Sequence, residues 1–578
     1  MKFLQNQKIV GAILFAACLF VYSQGISIHG VEYRDDEIFY YQATQEMVRS
    51  GNYLSPTYFG SDRFQKPILF YWFVLLSFKV FGSQWFAARL VAVVFAGLTV
   101  CFTYRIASLF VSQRSALTAA IMLASAPLFL RHAKIVVPDM ALNFFIVASI
   151  FYALDFVYQG SRRSSRILFF LMSALGFLVK GFAALVIPVG VLLAFLLICG
   201  KRDRLRQFHF FKGFLIWLII VAPWFLYMSA VHGGGYMRYM IVEETAERIL
   251  GKDQGDLLLL QAKRAVTHLA FYLRTILSYF LPWSLVFVFV LGPLMRRDNT
   301  SSQEREGLIL CLIWIVLVLL IFSNMYFTIS HYMLVLSTPL SIFVAMGLHK
   351  ILEQKRAGYS FWLNAFFALA LGLGVFAFAF LSVFLAGASR LWLIFFAASY
   401  LSLMLIMMER KDVCYSAGIL SLFIIGVFSQ SALMVKAGVA SHGTLQKFAQ
   451  TIEAGSGENA IIGVGSHDIH EKELQVYFDK ELIKAGHSHA GVVRKNLLSL
   501  FDHKEEVYCL LTQNDYNEYR DLIDQFQPAL LQKEFMVRKR MRLDKGFAIA
   551  LLSFDAEGVR GYLMEPILLI KKEKYAGI

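Results

Sequence analysis

The sequence predicts an α-helical polytopic membrane protein of about thirteen transmembrane helices, followed by a small C-terminal α/β domain. Three observations carry that prediction. Hydrophobic residues make up 58% of the 578-residue chain and charged residues only 16%, with a mean hydropathy of +0.59. A soluble chain of this size does not carry so much apolar surface. Apolar segments able to cross a hydrocarbon core of ~30 Å recur from near residue 8 to near residue 435. Beyond residue 441 the apolar runs shorten and alternate with polar, helix-like stretches. The formal charge of +15 does not call for a nucleic-acid partner, because no DNA- or RNA-binding motif is present and the cytoplasmic loops of membrane proteins are basic anyway.

The elements follow in order. A basic start (Lys2, Lys8) precedes the apolar run Ile9–Tyr22, and no A-x-A-like cleavage site follows, which predicts an uncleaved first span. Further spans are expected at roughly 87–110, 115–131, 140–158, 167–180, 182–199, 213–231, 271–294, 307–323, 332–348, 360–386, 390–408 and 415–435. With the N-terminus inside, the inner loops hold Arg114; Arg162, Arg163 and Arg166; Lys201, Arg202, Arg204, Arg206 and Lys212; Arg296, Arg297 and Arg305; Lys350, Lys355 and Arg356; and Arg410 and Lys411. Short basic inner loops are what the positive-inside rule requires. Counting the aromatic segment Pro67–Phe81 as a span would reverse every later loop, so it is expected to lie in the membrane interface. The first outer loop then runs from about 25 to 86. The membrane part is 1–440 and the outer tail 441–578, with β-type runs at Ala460–Val464, Val507–Leu511 and Phe547–Leu552 and helical stretches at Thr444–Ala454 and Asp515–Phe526. The six cysteines show no disulfide or metal-type spacing.

This threading gathers the unusual polar residues on the outer face. The first outer loop holds Asp35, Asp36, Glu37, Arg63 and Lys66; the next holds Arg131, Lys134 and Asp139. Lys180 ends a span on that side. Glu243, Glu244 and Arg248 lie in the fourth outer loop, and Tyr326 and His331 in the fifth. Carboxylates can orient a sugar, bind a divalent metal ion or take a proton from an acceptor. Lysine and arginine can hold a phosphate leaving group and stabilise its developing charge. Each residue also has a plainer reading. Asp139 at a helix start fits an N-cap, Asp35, Asp36 and Glu37 fit a solvated loop, and Lys66 and Lys180 fit side chains reaching for headgroups. Glu243, Glu244 and Arg248 fit pairing along a helix, and His331 fits an interface residue. Pro223-Trp224 and Pro282-Trp283 read as kinks with aromatic anchors. In the tail, Gly463-Val464-Gly465 lacks the third glycine of a dinucleotide fingerprint, and His467, His470, His487 and His489 read as surface histidines. The functional reading comes from convergence on one face. A transporter would place its charges near the bilayer midplane and show repeated halves, neither of which is visible.

The order of motifs resembles one family. Asp36-Glu37-Ile38-Phe39-Tyr40, Glu46-Met47-Val48-Arg49-Ser50-Gly51 and Gln65-Lys66-Pro67 through Trp72 are similar to the first outer loop of the C-type (GT-C) membrane glycosyltransferases, which include protein O-mannosyltransferases and bacterial aminoarabinose transferases. Phe86 to Leu90, Pro138-Asp139-Met140, Leu178 to Gly181, Ala222-Pro223-Trp224, Glu247 to Leu250, Leu281-Pro282-Trp283 and His331 to Leu334 continue the resemblance in order. It implies a GT-C fold, catalytic carboxylates at Asp36 and Asp139, and basic residues Lys66 and Arg248 at the donor phosphate. Tyr326 and His331 are then near the same cavity, with Asp35 and Glu37 beside the substrate. Phe39 and Ile68 depart from the arginine and proline frequent in bacterial members. Length, span count and outer tail are most similar to the aminoarabinose transferases. The implied partners are an undecaprenyl-phosphate-linked sugar, lipid A and membrane lipids at the bacterial inner membrane, with a divalent metal left open. The same motifs leave room for transfer of another lipid-linked sugar to protein or to an envelope glycan.

Overall fold

The computed structural model describes residues 6–27, 34–246, 258–295, 301–353, 357–380, 391–410, 412–429, 442–457, 459–466, 469, 478, 482–486, 490–537 and 564–574. The chain divides into two compact units, one of 1–26, 43–374 and 400–429, the other of 27–42, 375–399 and 430–578.

Helices dominate. In chain order they begin with α1 (Gln7–Tyr22), α2 (Arg34–Ser50) and, after a two-strand hairpin β1 (Thr57–Tyr58) and β2 (Ser61–Asp62), α3 (Leu69–Phe81) and α4 (Trp85–Ala107). Next come α5 (Gln113–Ser125), α6 (Pro127–His132), α7 (Pro138–Tyr158), α8 (Arg163–Lys180), α9 (Ala183–Ile198), α10 (Arg202–Phe208) and α11 (Phe210–His232). A short α12 (Gly234–Arg238) leads into a π-helical segment, Tyr239–Ala246. Then follow α13 (Leu258–Tyr279), α14 (Trp283–Met295), α15 (Ser302–Ser323), a 3₁₀ turn (Ser330–Leu336), α16 (Ser337–Glu353), α17 (Ala357–Phe380), α18 (Leu391–Arg410) and α19 (Val413–Ser429).

Six of these helices among the described residues are long and apolar enough to cross a membrane, or seven if the bent pair Gln261–Tyr279 and Trp283–Gly292 is one span. This is fewer than the thirteen expected, for physical reasons that can be named. Five further apolar helices run only 10–17 residues. The expected span 115–131 is cut where Pro127, which cannot donate to the ladder, starts a separate helix. The pair around Pro282 bends by 104°, so the kink expected there is present. At Pro223, by contrast, α11 runs on unbroken. Helix α3 has 13 residues, about 20 Å at 1.5 Å each, which is short of a ~30 Å core.

The centre of the first unit is α7. It is apolar on all sides, as a fully enclosed helix must be, and 89% of its central window is buried. It packs against α8, α4 and α9. At Gly176 of α8 an added Cβ would stand 2.7 Å from the Ala184 Cβ and 2.8 Å from the Phe145 Cβ, so only glycine lets α7, α8 and α9 approach so closely.

In the second unit the tail holds a five-stranded mixed sheet. After α20 (His442–Gly455) come β3 (Ile461–Val464), β4 (Ile483–Lys484), α21 (Ala490–Phe501), β5 (Val507–Thr512), α22 (Gln513–Glu518), α23 (Arg520–Ile523), β6 (Ala529–Val537) and β7 (Met564–Lys572), with strand order β4-β3-β5-β7-β6. One face packs on Phe448 and Ile452 of α20, the other on Leu497, Leu500 and Phe501 of α21. The strands expected at 460–464 and 507–511 are present, and the run expected at 547–552 lies outside the described residues.

Candidate active site

Asp139 stands in the first turn of α7, where the unsatisfied N–H groups of a helix favour an anion. The N-cap position is held by Val137, so Asp139 is not the cap that its place in the sequence allowed. Lys180, the last residue of α8, donates to the Asp139 Oδ1 at 2.6 Å. Both side chains are largely buried, 12% and 9% exposed. The lysine is therefore an ion-pair partner, correcting its reading as a headgroup anchor. Gly181, at φ +93°, turns the chain directly after it into α9.

His331 brings Nε2 to 3.7 Å from the same Asp139 oxygen. It sits in the 3₁₀ turn, whose preceding residue Ile329 donates its N–H to the Tyr272 hydroxyl at 3.3 Å. The His132 ring lies 5.9 Å from that of His331, and His132 Nδ1 is 2.8 Å from the Leu128 carbonyl oxygen. Sequence reading passed over His132. It stands between Arg131 and Lys134, where the sequence shows it only as one more basic residue of the second outer loop.

Lys66 comes from the first outer loop. Glu46 closes the hairpin before it, accepting from Thr57 Oγ1 at 2.6 Å and the Phe59 N–H at 2.7 Å. The Arg63 Nε donates to the Tyr71 hydroxyl at 2.9 Å, tying the loop to α3. So fixed, the Lys66 ammonium donates to the Gln65 carbonyl at 2.8 Å and pairs with Glu244 from the π-helical segment. Glu244 is thus engaged across 178 residues and not, as its spacing suggested, only along its own helix. Tyr326 lies under the Arg264 guanidinium, 5.0 Å from the ring centroid.

Lys66, Lys180 and Glu244 line one cavity of about 430 Å³ whose other walls are mostly apolar, including Leu142, Phe177, Phe225, Met240 and Phe322. A mostly apolar pocket lined by a few charged side chains is suited to an amphiphile whose polar end carries charge. Of the other expected site residues, Asp35, Asp36 and Glu37 lie in the first turn of α2, within the second unit, with Asp36 exposed and Glu37 fully buried. Arg248 lies outside the described residues, as do His467, His470, His487 and His489. Among the described residues no three His, Cys, Asp or Glu side chains gather to hold a metal ion. The Asp139 site does not fit a divalent cation, because its carboxylate already faces the Lys180 ammonium at hydrogen-bond distance.

The fold is that of the C-type membrane glycosyltransferases. ArnT from Cupriavidus metallidurans, in its crystal structure bound to undecaprenyl phosphate, superposes with a TM-score of 0.66 over 96% of this chain and 97% of that one, at 16% identity. Residues 65–227, which carry Lys66, Asp139 and Lys180, match the sequence model of the family described as dolichyl-phosphate-mannose-protein mannosyltransferase. The undecaprenyl phosphate-α-4-amino-4-deoxy-L-arabinose arabinosyl transferase of Pseudomonas aeruginosa strain UCBPP-PA14 is 31% identical over 376 residues, 64% of this chain and 64% of that protein. An uncharacterised protein of Aquifex aeolicus is 26% identical over 343 residues, 59% of this chain and 63% of its own length. The chain spans slightly under two thirds of the length of these relatives.

Proposed function

We propose that this chain moves 4-amino-4-deoxy-L-arabinose from undecaprenyl phosphate to the phosphate groups of lipid A on the periplasmic side of the bacterial inner membrane. Masking lipid A phosphates with a cationic sugar would weaken the binding of polymyxin and other cationic peptides. The observation that carries the reading is a mostly apolar cavity whose lining includes Lys66 and Lys180. An isoprenoid chain suits the walls, and a phosphate suits the ammonium groups. The names of the relatives support the same donor.

In the reaction, an oxygen of the acceptor phosphate attacks the anomeric carbon, and the bond from that carbon to the donor phosphate breaks. Undecaprenyl phosphate leaves with the electron pair. Lys66, with Arg248 and Tyr326, offsets the charge gathering on it. The acceptor is already an anion and needs no general base. Asp139, which also holds Lys180 in place, is then a carboxylate for the sugar's ammonium group with His331 beside it. Asp36 keeps its role as a catalytic carboxylate, and Asp35 and Glu37 theirs as substrate-binding residues, on the family resemblance alone.

The family match at 65–227 favours a second reading, transfer of a lipid-linked sugar to a hydroxyl of protein or of another envelope glycan. That acceptor needs a base, so its rate would follow the ionisation of one carboxylate. Mass spectrometry of lipid A separates the two, in a strain that makes the donor but lacks its own aminoarabinose transferase. Expression of this chain should add one or two aminoarabinose groups, and Asp36→Ala should abolish the addition. Unmodified lipid A from a well-expressed chain would move the acceptor to protein or glycan.

A further inference from the structure

The charged residues that line the cavity, among those described, are Lys66, Lys180 and Glu244. Each lysine is met by a carboxylate, Lys66 by Glu244 and Lys180 by Asp139. The two pairs are held differently. Asp139 is fixed in the first turn of α7, a regular 21-residue α-helix most of which is buried. Glu244 rides on the eight-residue π-helical segment Tyr239–Ala246. A π-helical turn is less favourable than an α-helical one and is found mostly at functional positions. The Glu244 side chain is 12% exposed and that of Lys66 13%, so neither charge is well solvated, and an ammonium stripped of its carboxylate there would be costly.

From this we infer that Glu244 is an internal substitute for the donor's phosphate. It occupies the Lys66 ammonium until the anionic head of a lipid exchanges with it, and then swings aside on the π-helical segment. The exchange keeps Lys66 paired throughout. It also favours an anionic head, because a neutral lipid has nothing to offer Lys66, leaves the carboxylate in place and binds by its apolar chain alone. Glu244 is a positioning residue in this scheme, since it acts through Lys66.

The inference assumes the lipid-phosphate donor proposed above, and one experiment separates the two. Binding of undecaprenyl phosphate, undecaprenol and inorganic phosphate is measured to the full chain in phosphatidylcholine nanodiscs, for wild type, Glu244→Gln and Lys66→Met. Glu244→Gln should bind undecaprenyl phosphate about tenfold more tightly, because the competing anion is gone while the lysine stays. Undecaprenol should bind all three alike, which also reports an intact cavity. Inorganic phosphate, without the apolar chain, should gain nothing measurable. A preference for phosphate over alcohol that depends on Lys66 but does not rise in Glu244→Gln overturns the exchange and leaves the donor reading standing. Loss of any such preference in wild type overturns the donor reading itself. An equal gain for inorganic phosphate would assign the site to the free ion.

Discussion

At the scale of single residues the controlling fact is that the two lysines lining the cavity stand in enclosed pairs, Lys66 with Glu244 and Lys180 with Asp139. Removing one member of a buried pair leaves the other uncompensated, at a cost of about 3–5 kcal/mol, whereas replacing both by apolar side chains of similar volume is often close to neutral. Asp139→Leu and Lys180→Met should therefore each lower the melting temperature of the purified protein clearly. The double variant should be more stable than either single one and inactive. Additive losses in that double-mutant cycle would mean that the two groups do not depend on each other. The residue types were legible, since Asp139, Tyr326 and His331 are polar groups near span ends and Lys66 is a base in the first outer loop. Their pairings were not. Asp139 meets Lys180 across 41 positions and Lys66 meets Glu244 across 178, and no local pattern encodes such contacts. Glu244 has a plausible partner four residues away in Arg248, so its spacing gives no sign of the contact with Lys66.

For the helices, the site depends on how closely α8 approaches α7 and α9. Gly176 and Lys180 are one helical turn apart and share a face. A methyl at 176 would overlap Phe145 and Ala184, and relieving such overpacking costs about 1–3 kcal/mol. Gly176→Ala should push α8 outward and carry the Lys180 ammonium away from Asp139. Displacement of about 1 Å can cost ~100-fold in rate, so turnover should fall much further than helicity by circular dichroism. Gly418→Ala in α19, where an added Cβ meets nothing within 4 Å, is the matched control and should keep both. Unimpaired turnover in Gly176→Ala would remove this packing from the account of the site. Helix positions were readable from hydropathy because apolar runs are their cause. Their breaks were less so. Pro127 falls in the middle of an apolar stretch, and hydropathy is blind to a missing N–H donor. The bend at Pro282 was expected from its proline-tryptophan pair, but the same pair at Pro223 stands in a continuous helix, so the pair alone does not decide.

On the scale of the whole molecule, sidedness decides which chemistry the site can meet. With the N-terminus inside, the basic clusters after α4, α7, α9, α14, α16 and α18 fall on the inner side only if the interfacial reading of α3 is right, and its 13-residue length supports that reading. The tail was legible in part. Its parallel strands β3 and β5 are short apolar runs with turn residues around them, whereas β7 ends in a lysine pair and β6 mixes Gln, Lys and Glu into its run, so period alone does not distinguish them from helix. Within the sheet β7 is nonetheless an interior strand, between β5 and β6, with Ile567 and Leu569 on one face and Leu568 and Ile570 on the other. Single cysteines test the sidedness. Ser61, Asp203 and Lys504 are all exposed, on the β1–β2 hairpin, on α10 and after α21. In intact spheroplasts a membrane-impermeant maleimide should label Ser61→Cys and Lys504→Cys above the parent chain and reach Asp203→Cys only after lysis. Labelling of Asp203→Cys before lysis would invert the threading, turn Lys66 and Asp139 to the cytoplasm, and remove periplasmic lipid A as the acceptor.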